Sequence, residues 1–516
     1  MERLVKLLEA NLGIKGIDLA KKRTFTELGG DSLEAVMFSN IIDEFFEVNI
    51  PANTLLSPTG HPQHWAALIE KAQSQSESNQ PNFKTIHGKN AKLAYAKDLQ
   101  LARFLGQEII ATAATLAEIR AVPNTVLLTG ANGFLGHILC LTWLERVAKT
   151  NGKVICIIRA ADDQAARQRL DKAFHGKDAE METLYKQLSA QHLEVFAGDI
   201  SETNFGLSPA IFQRLSTEVD RICHPAALVN HRFEYAHLFG PNVIGTAEII
   251  RLAITHHKKP IDFISSVAVE RYLETSQINN EASPLLPQVK LSGHYAAGYG
   301  ISKWAAEHLL KNASETFGIP INVFRSDMIL AHQTYKGQIN SADMLTRLLF
   351  SIITTSLAPV SFYQKNKDGQ VSKAHYDGVP VDVIAKAVVE VCDTEQTGLQ
   401  VFNVQNYHQN DGVSLDSFVD WIISAGYKVQ RLDKHKKWFE RMQDKLNTLP
   451  DEQKQQSALD ILVAYSRPYP PASNPAGCDN FKGLIQTLNA GADIPHLSET
   501  YIHKCLADMR LLRILD

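Results

Sequence analysis

The sequence lacks the cysteine patterns that identify zinc sites and disulfide frameworks. It has six cysteines in 516 residues, with no Cys-x-x-Cys pair and no histidines at zinc-ligand spacing. Scattered cysteines of this kind are typical of reduced, mostly buried thiols in a cytoplasmic protein. We therefore expect no bound metal and a cytoplasmic location.

Basic charge and long apolar runs are also scarce. Lysine and arginine total 52 against 56 aspartates and glutamates, so the sequence predicts no basic domain suited to nucleic acid. The most apolar run, residues 344–360, is interrupted by Arg347 and Pro359 and is too short to cross a bilayer, which predicts a buried helix. The charged, amphipathic start of the chain does not resemble a signal peptide. We expect neither a nucleic-acid partner nor a membrane partner.

The composition that is present divides the chain into domains. Residues 1–72 contain amphipathic helices, one of them starting at Ser32, and are predicted to form a small helical domain. Residues 73–90 are predicted to be a flexible linker, because the segment AQSQSESNQPN at residues 72–82 is polar and rich in serine and glutamine.

Alternating apolar and amphipathic segments follow from residue 91 to residue 335. The apolar runs are TVLLTG, KVICIIR, LEVFAGD, RICHPAA, PIDFISS and INVFRSD. Strands that alternate with helices predict a Rossmann-type, doubly wound parallel sheet. Residues 336–516 are irregular and helix-rich, so we expect a smaller α-rich domain there that binds substrate at the carboxyl edge of the sheet. The predicted fold class is α/β, preceded by the small helical domain.

The segment TFTELGGDSLEAV carries the first chemical motif. Gly29 and Gly30 permit a tight turn, and Asp31 is placed to cap the helix that opens at Ser32. A serine at the amino end of a helix also suits a phosphodiester. The segment resembles the carrier-protein family, whose pattern is F-x-E-L-G-G-x-S-L. The resemblance implies a 4′-phosphopantetheine arm on Ser32, attached by a phosphopantetheinyl transferase.

A glycine-rich loop follows the first predicted strand of the sheet. In TVLLTGANGFLG the glycines have the spacing G-x-x-G-x-x-G, which serves a tight turn, close approach to a pyrophosphate and helix–strand packing. A phosphate is then favoured at the amino end of the following helix. The predicted cofactor-binding residues here are Gly130, Asn132, Gly133, Phe134, Leu135 and Gly136.

The next strand bears on the choice between NADPH and NADH. It ends in Arg159, and Arg169 follows on the next helix, so two guanidinium groups are placed to bind a 2′-phosphate. We therefore expect NADPH. NAD remains the alternative, because Asp162 or Asp163 is close enough to bind the ribose diol, although either residue also suits a helix cap. Asp199 is predicted to contact the adenine edge or, alternatively, to be an ordinary turn residue.

A Tyr-x-x-x-Lys motif provides the predicted catalytic pair. Tyr299 and Lys303 are four residues apart and share one face of a helix. An ammonium group beside a phenol lowers the tyrosine pKa, which would make Tyr299 a proton donor to a developing oxyanion. Ser265 and Ser266 end the strand PIDFISS at the carboxyl edge of the sheet. We assign carbonyl binding to Ser266, with Ser265 as the alternative.

These motifs together resemble the extended short-chain dehydrogenase/reductase family. PNVIGTAE adds a helix typical of that family and implies that Asn242 is a structural polar anchor. CHPAALVNH matches the segment that runs beside the nicotinamide, which implies cofactor contacts for Ala226 and Asn230. Its two histidines, His224 and His231, are interpreted as structural rather than catalytic.

The order of motifs is similar to the carboxyl half of carboxylic acid reductases. They are the carrier motif, GANGFLG, HPAALVNH, FGPNVIGTAEIIRLA and GYGISKWAAE. The resemblance implies NADPH-dependent reduction of the acyl thioester on the Ser32 arm to a free aldehyde. It also implies an adenylation domain ahead of the carrier that this chain does not contain. The sequence would then be a piece of a longer enzyme, unable to activate acids with ATP. One departure is Ser266, where thioester reductases often have threonine.

Alternatives to this function remain at the level of sequence. The nearest is a terminal thioester reductase of a nonribosomal peptide or polyketide synthase that releases aldehyde or alcohol. An epimerase or dehydratase of the same fold and a non-catalytic scaffold are the others. Asp327 and residues 375–383 are predicted either to restrain substrate and cover the acyl pocket or to be ordinary loop structure.

Overall fold

Four helices build the amino-terminal domain around three aromatic rings. They are α1 Glu2–Leu12, α2 Ser32–Phe46, α3 Ala52–Leu55 and α4 Pro62–Ser74. Phe25, Phe38 and Trp65 are buried between them, with ring centroids 5.9 to 6.2 Å apart. The structure is a computed structural model that describes the chain except for residues 47, 49, 51, 58, 75–80, 114, 117–118, 120–122, 231–232, 273–280, 283, 292–296, 366–368, 370–374, 395–396, 409–410, 471–476, 490 and 516.

The turn ahead of α2 depends on its two glycines. Gly29 has a φ of 94°, a conformation that L-residues with side chains rarely adopt. A Cβ atom on Gly30 would lie 2.2 Å from the ring of Phe25, so only glycine lets that ring close over the turn. The backbone N–H of Glu34 donates to Oδ1 of Asp31 at 2.9 Å, and the N–H of Asp31 donates to Oε2 of Glu34 at 2.8 Å. The predicted Asp31 cap is therefore confirmed.

Part of the predicted linker packs against the domain that follows it. α4 continues to Ser74, and most of the polar segment, residues 75–80, lies outside the described residues. A short helix, α5 Phe83–His87, packs on the following region, where the Phe83 ring is 5.7 Å from the ring of Tyr235. Nε2 of His87 lies 3.1 Å from the hydroxyl of Tyr235. Residues 83–87 are thus packed structure within the expected linker of residues 73–90.

A seven-stranded parallel sheet forms the centre of the rest of the chain. Its strands are β1 Thr125–Thr129, β2 Lys153–Ile158, β3 Leu193–Ala197, β4 Arg221–His224, β5 Ile261–Ser266, β6 Ile321–Ser326 and β7 Leu399–Val404. They lie in the order β7-β6-β5-β4-β1-β2-β3. The six strands predicted from apolar runs are confirmed. Three further pairs of short strands are Leu93–Tyr95 with Gln288–Lys290, Ile329–Leu330 with Val379–Pro380, and Leu357–Pro359 with Gln430–Leu432.

Helices cover both faces of this sheet and extend beyond it. They are α6 Gln107–Ala113, α7 Phe134–Ala148, α8 Asp163–Phe174, α9 Ala179–His192, α10 Pro209–Glu218, α11 Tyr235–Leu238, a π-helical segment Phe239–Ile244, α12 Gly245–Ala253, α13 Ala297–Phe317, α14 Met344–Thr355, α15 Val381–Glu390, α16 Leu415–Ser424, α17 His435–Asn447, α18 Asp451–Gln456, α19 Asp479–Leu488 and α20 Glu499–Leu511. Short 3₁₀ turns are Leu19–Lys21, Ala96–Asp98, Leu101–Arg103, Thr203–Gly206, Val267–Tyr272, Val391–Asp393 and Leu459–Tyr465. None of the described helices is long and apolar enough to cross a membrane.

Two apolar cores sandwich the sheet, which confirms the doubly wound α/β fold. One core joins the sheet to α10, α12 and α13, and the other joins it to α7, α8, α15 and α19. A third core links α14, α16, α17 and α20 in the carboxyl-terminal part of the chain. The buried helix predicted in residues 344–360 is α14, which ends at Thr355.

The boundary expected at residue 335 does not separate the sheet from the carboxyl-terminal part. β7 pairs with β6 over six residues and completes the sheet, although it begins at Leu399. α15 packs against α7 on one face of the sheet. Both elements lie far along the chain from the neighbours that they contact, so local alternation of strands and helices did not reveal them.

Candidate active site

A cavity of about 610 Å³ opens at the carboxyl edge of the sheet. Its lining falls into two parts, which we call the glycine lobe and the methionine lobe. The glycine lobe is formed by the loops after β1, β2, β3 and β4 and includes Gly130, Asn132, Gly133, Phe134, Leu135, Gly136, Arg159, Asp199 and Ala226. The methionine lobe is formed by Asp327, Met328, Ile329, Asn340, Ala342, Asp343, Met344 and Ile461. Ser266, Tyr299 and Lys303 also line the cavity.

The glycine loop is shaped by contacts that exclude side chains. Gly130 has a φ of 62°, and a Cβ atom there would lie 2.8 Å from Cα of Ala226. A Cβ atom on Gly136 would lie 1.9 Å from the carbonyl oxygen of Gly130, so α7 reaches β1 only with glycine here. Gly133 is the N-cap residue of α7, and no side chain accepts a hydrogen bond from the first turn at that cap. The helix therefore presents backbone N–H groups and its positive dipole end to the cavity, which fits a pyrophosphate.

Two arginines lie where the predicted 2′-phosphate site was expected. Arg159 follows β2 and lines the cavity, while Arg169 on α8 lies outside the lining and donates to the carbonyl oxygen of Arg159. Nη1 of Arg159 is 3.9 Å from Oδ2 of Asp199, whose other carboxylate oxygen accepts from the N–H and hydroxyl of Ser201. Asp162 caps α8 by accepting from the N–H of Ala165 at 2.7 Å. The Asp162 carboxylate is thus a helix cap, as the alternative interpretation of this residue expected.

Tyr299 and Lys303 lie on one face of α13, as the motif predicted. Lys303 is 2 % exposed, and its Nζ donates to the carbonyl oxygen of Ile264 at 2.6 Å. The same Nζ is 4.4 Å from the ring centroid of Phe263 and 6.0 Å from that of Tyr299. Burial lowers the pKa of Lys303 to about 7, since little charge compensates its ammonium group.

The expectation that Lys303 lowers the pKa of Tyr299 is wrong for this geometry. Burial raises the pKa of Tyr299 above its ordinary value, because the phenolate would lose its hydration. The Lys303 ammonium group is directed to a carbonyl of β5 and does not offset that loss. Tyr299 is therefore held in the protonated form, which is the form that a proton donor requires.

The two candidate serines differ in what their hydroxyls contact. The Ser265 hydroxyl is buried and donates to Oε1 of Glu307 at 2.5 Å. Glu307 in turn forms an ion pair with Arg325 at 2.7 Å. The Ser266 hydroxyl accepts a 3.2 Å hydrogen bond from the N–H of Ala268 and remains half-exposed in the cavity. Ser266 is thus the serine whose hydroxyl can still donate to a ligand.

Asn242 supports the site from behind, in the role implied by the family resemblance. Its side chain accepts from the N–H of Leu228 at 2.8 Å and donates to the carbonyl oxygen of the same residue at 3.1 Å. It also donates to the Ser302 hydroxyl at 2.9 Å, next to Lys303 on α13. The π-helical segment that carries Asn242 therefore joins the cavity-lining residue Leu228 to α13. The predicted anchor is confirmed.

Other predicted residues lie outside the cavity lining. Asn230 accepts from the N–H of Phe233 at 3.2 Å instead of lining the cavity, so its expected cofactor contact is not supported. His224 is buried, with Nδ1 2.7 Å from the Thr129 hydroxyl, which fits the structural interpretation. His231 lies outside the described residues.

The methionine lobe contains residues that the sequence did not single out. Asp327 lines it, as anticipated, but Asp343, Met344 and Ile461 were missed. No described residue of 375–383 lines the cavity. Val379–Pro380 pairs instead with Ile329–Leu330, so this segment supports the lobe from outside. The only signal for Met344 was the apolar run of α14, which is equally typical of a core helix.

The carrier domain contacts the reductase beside the cavity. Phe233 and Leu238, which follow the cavity-lining residues 225–229, belong to the same apolar cluster as the carrier's aromatic core. Leu228 and Tyr299 pack against this cluster. α2, which begins at Ser32, is part of the same domain, although the Ser32 side chain is outside the described residues. The carrier and Tyr299 are thus neighbours in the fold.

A glycine loop at the amino end of α7 and a Tyr-x-x-x-Lys pair on α13 define a nicotinamide-dependent oxidoreductase of the short-chain dehydrogenase type. Residues 128–388 match the model of the family described as male sterility protein, and the chain belongs to that family. Residues 2–69 match the model of a phosphopantetheine attachment site, which confirms the carrier domain. Among the described residues, no cluster of three or more His, Cys, Asp or Glu side chains is placed to hold a metal ion.

Named relatives share both parts of the chain. The chain is 42 % identical to a carboxylic acid reductase of Segniliparus rugosus over all of its length and 44 % of that protein. It is 38 % identical to an isonitrile lipopeptide synthase of Mycobacterium tuberculosis over 95 % of its length and 20 % of that protein.

A crystal structure of the reductase domain of a nonribosomal peptide synthetase from Mycobacterium tuberculosis superposes with a TM-score of 0.76 at 39 % identity, covering 82 % of this chain and 100 % of that one.

These similarities establish a carrier joined to an oxidoreductase domain of the thioester reductase type. The chain spans less than half the length of the curated relatives named above.

Proposed function

We propose that this chain uses NADPH to reduce an acyl thioester, held by a phosphopantetheine arm on Ser32, to a free aldehyde. The observation that carries the proposal is the position of Tyr299. It lines the cavity between the glycine and methionine lobes and packs against the apolar cluster of the carrier. A tethered acyl group would reach such a site at an effective concentration of roughly millimolar.

The glycine lobe supports NADPH as the reductant. The amino end of α7 would hold the pyrophosphate, and Arg159, with Arg169 behind it, would hold the 2′-phosphate. Lys303 would contact the nicotinamide ribose from α13. When bound, the nicotinamide supplies a hydride for the thioester carbonyl. Asp199 would contact the adenine side once Arg159 pairs with phosphate.

The catalytic residues of this proposal are Ser266, Tyr299 and Lys303. The hydroxyls of Ser266 and Tyr299 would donate to the carbonyl oxygen as it gains negative charge, each contributing about 3 kcal/mol of transition-state stabilisation. Tyr299 is suited to this because its raised pKa keeps the phenol protonated. The carbonyl then re-forms as the carbon–sulfur bond breaks, so the acyl group leaves as an aldehyde and the sulfur stays on the phosphopantetheine arm as a thiolate that takes up a proton.

The remaining steps belong to partners. We propose that a phosphopantetheinyl transferase loads Ser32 and that an adenylation domain outside this chain supplies the acyl group, since the Segniliparus relative is named for the reduction of carboxylic acids and is more than twice as long as this chain. The six unpaired cysteines favour a cytoplasmic location. A second candidate function is terminal release of a peptide or polyketide product as aldehyde or alcohol, which the similarity to peptide synthetase reductase domains favours.

Mass spectrometry of the products tests the proposed function and distinguishes release of an aldehyde from release of an alcohol. The chain is loaded at Ser32 with an acyl-phosphopantetheine group and given excess NADPH. We expect the aldehyde to accumulate; accumulation of alcohol would favour the second candidate. Ser32→Ala should remove both the mass of the arm and the product, whereas continued release of product from that variant would contradict the tethered mechanism.

A further inference from the structure

The two lobes of the cavity differ in charge, because the glycine lobe pairs Arg159 with Asp199, whereas the described charged side chains of the methionine lobe are all acids. Among the described lining residues, the basic side chains are Arg159 at the glycine lobe and Lys303 on the catalytic helix. The methionine lobe contains two acids, Asp327 and Asp343, and no basic side chain among its described residues. Its other walls are mostly apolar, formed by the side chains of Met328, Ile329, Met344 and Ile461.

Asp343 is held in place by its own helix. It is the N-cap residue of α14, where Oδ1 accepts from the N–H of Thr346 at 2.8 Å and Oδ2 accepts from the Thr346 hydroxyl at 3.1 Å. Arg347, one turn along the helix, donates its Nη2 to the carbonyl oxygen of Gln455. Within the described part of the chain, Asp343 forms hydrogen bonds and no ion pair. Burial raises its pKa to about 6, so the carboxylate is still mostly ionised above neutral pH.

This arrangement has a direct consequence for the acyl group that enters the lobe. An apolar chain loses water and gains contacts with the methionine and isoleucine side chains. A chain that ends in a carboxylate would bring a second negative charge beside Asp343, with no cation among the described residues of the lobe to pair with it. The repulsion is stronger than in water, because apolar walls exclude solvent around the two charges.

We infer that Asp343 determines acyl specificity: its carboxylate excludes acyl groups that carry a second carboxylate and leaves the methionine lobe to neutral, mainly apolar acyl groups. The inference rests on the proposed function and assigns a residue to substrate choice in the same site. The same carboxylate caps α14, so the test needs a substitution that removes the charge and keeps the cap. Asp343→Asn does both, because asparagine is an equally good N-cap residue.

The test compares two acyl groups of equal length on the same arm. Octanoyl and octanedioyl groups are loaded onto Ser32 of the full chain, and single-turnover aldehyde formation with NADPH is followed for each. In the unsubstituted protein we expect octanoyl to react faster by on the order of tenfold or more. Asp343→Asn should reduce that ratio about fivefold, because the loss of the charge accelerates octanedioyl more than octanoyl.

A matched control removes the same charge from another helix cap. Asp178 caps α9 by accepting from the N–H groups of Glu180 and Met181, and it does not line the cavity. Asp178→Asn should leave the octanoyl-to-octanedioyl ratio unchanged. If Asp343→Asn loses octanoyl turnover through misfolding, Asp343→Ser, a second neutral cap, is measured in the same way.

Each outcome separates this inference from the proposed function. Octanoyl turnover with an unchanged ratio in the neutral variants, or equal rates for both acyl groups in the unsubstituted protein, would overturn the role of Asp343. Absence of any octanoyl reduction in the unsubstituted protein would instead contradict the proposed function.

Discussion

The glycine lobe and the methionine lobe meet at Tyr299 but are built in different ways. In the glycine lobe the backbone forms the surface: α7 approaches β1 so closely that a single Cβ atom on Gly136 would meet a carbonyl oxygen at 1.9 Å. In the methionine lobe side chains form the surface, from residues 327–329, residues 340–344 and Ile461. A lobe made of backbone suits one constant ligand, whereas a lobe made of flexible side chains suits acyl groups that differ in shape.

The largest effect should come from placing a side chain in the glycine lobe. Gly136→Ala forces α7 away from β1, so we expect saturable NADPH binding to be lost and the thermal unfolding temperature to fall. Met344→Ala in the methionine lobe removes a larger side chain but leaves the backbone intact, so octanoyl turnover should fall by about tenfold at most. Titration calorimetry measures the NADPH affinity of both variants, and single-turnover kinetics measure their rates of octanoyl reduction. Equal losses of NADPH affinity in both variants would contradict the difference between the lobes.

A smaller effect sharpens the role of charge in the glycine lobe. Arg159→Ala should reduce kcat/KM for NADPH by about 10- to 100-fold, because a charge-assisted contact to the 2′-phosphate is lost. The value for NADH should change by less than about threefold, since NADH lacks that phosphate. Arg167→Ala on α8 is the control: this residue pairs with Asp171 and does not line the cavity. A similar loss with both cofactors after Arg159→Ala would show a structural role instead.

The smallest effect concerns the pH dependence of the free energy of unfolding that arises because Lys303 is buried. Burial lowers the pKa of Lys303 to about 7 from an ordinary 10.5, so between these values the unfolded chain binds a proton that the folded chain does not. Between these values the free energy of unfolding therefore rises with pH by about 1.4 kcal/mol per pH unit, and this contribution is lost as pH falls toward 7. Lys303→Met should remove that slope.

Chemical denaturation of the cofactor-free protein at several pH values above neutrality measures the slope. The matched control is Lys311→Met, an exposed lysine on the same helix that pairs with Glu315. Its unfolding free energy should keep the pH dependence of the unsubstituted protein. A slope that persists after Lys303→Met would mean that another group causes it.

The two lobes also differ in how far the sequence predicts them. The glycine lobe could be predicted because a short run of residues specifies its backbone, and the apolar runs of β1 to β6 place that run at the edge of a sheet. Residues such as Asp343 could not, because an aspartate ahead of a helix has the same local pattern whether it merely caps the helix or faces a cavity. β7 was missed for a related reason. It is Leu399–Val404, and its partner β6, Ile321–Ser326, lies far from it along the chain.

The pKa values of Tyr299 and Lys303 could not be predicted from the spacing of the two residues. The four-residue spacing of Tyr299 and Lys303 predicted a shared helix face, and the structure has it. The direction in which Nζ of Lys303 points, toward the carbonyl oxygen of Ile264, depends on how α13 packs against β5. For that reason the sequence predicted a lowered pKa for Tyr299, whereas burial raises it.

The central claim is that Tyr299 donates to the carbonyl oxygen of a thioester on the chain's own arm. The most direct measurement is single-turnover aldehyde formation by octanoyl-loaded Tyr299→Phe, with NADPH affinity and thermal unfolding measured on the same preparation. We expect a rate lower by on the order of 100- to 1000-fold, with cofactor affinity and stability close to those of the unsubstituted protein. A rate within a few-fold of the unsubstituted protein would contradict it.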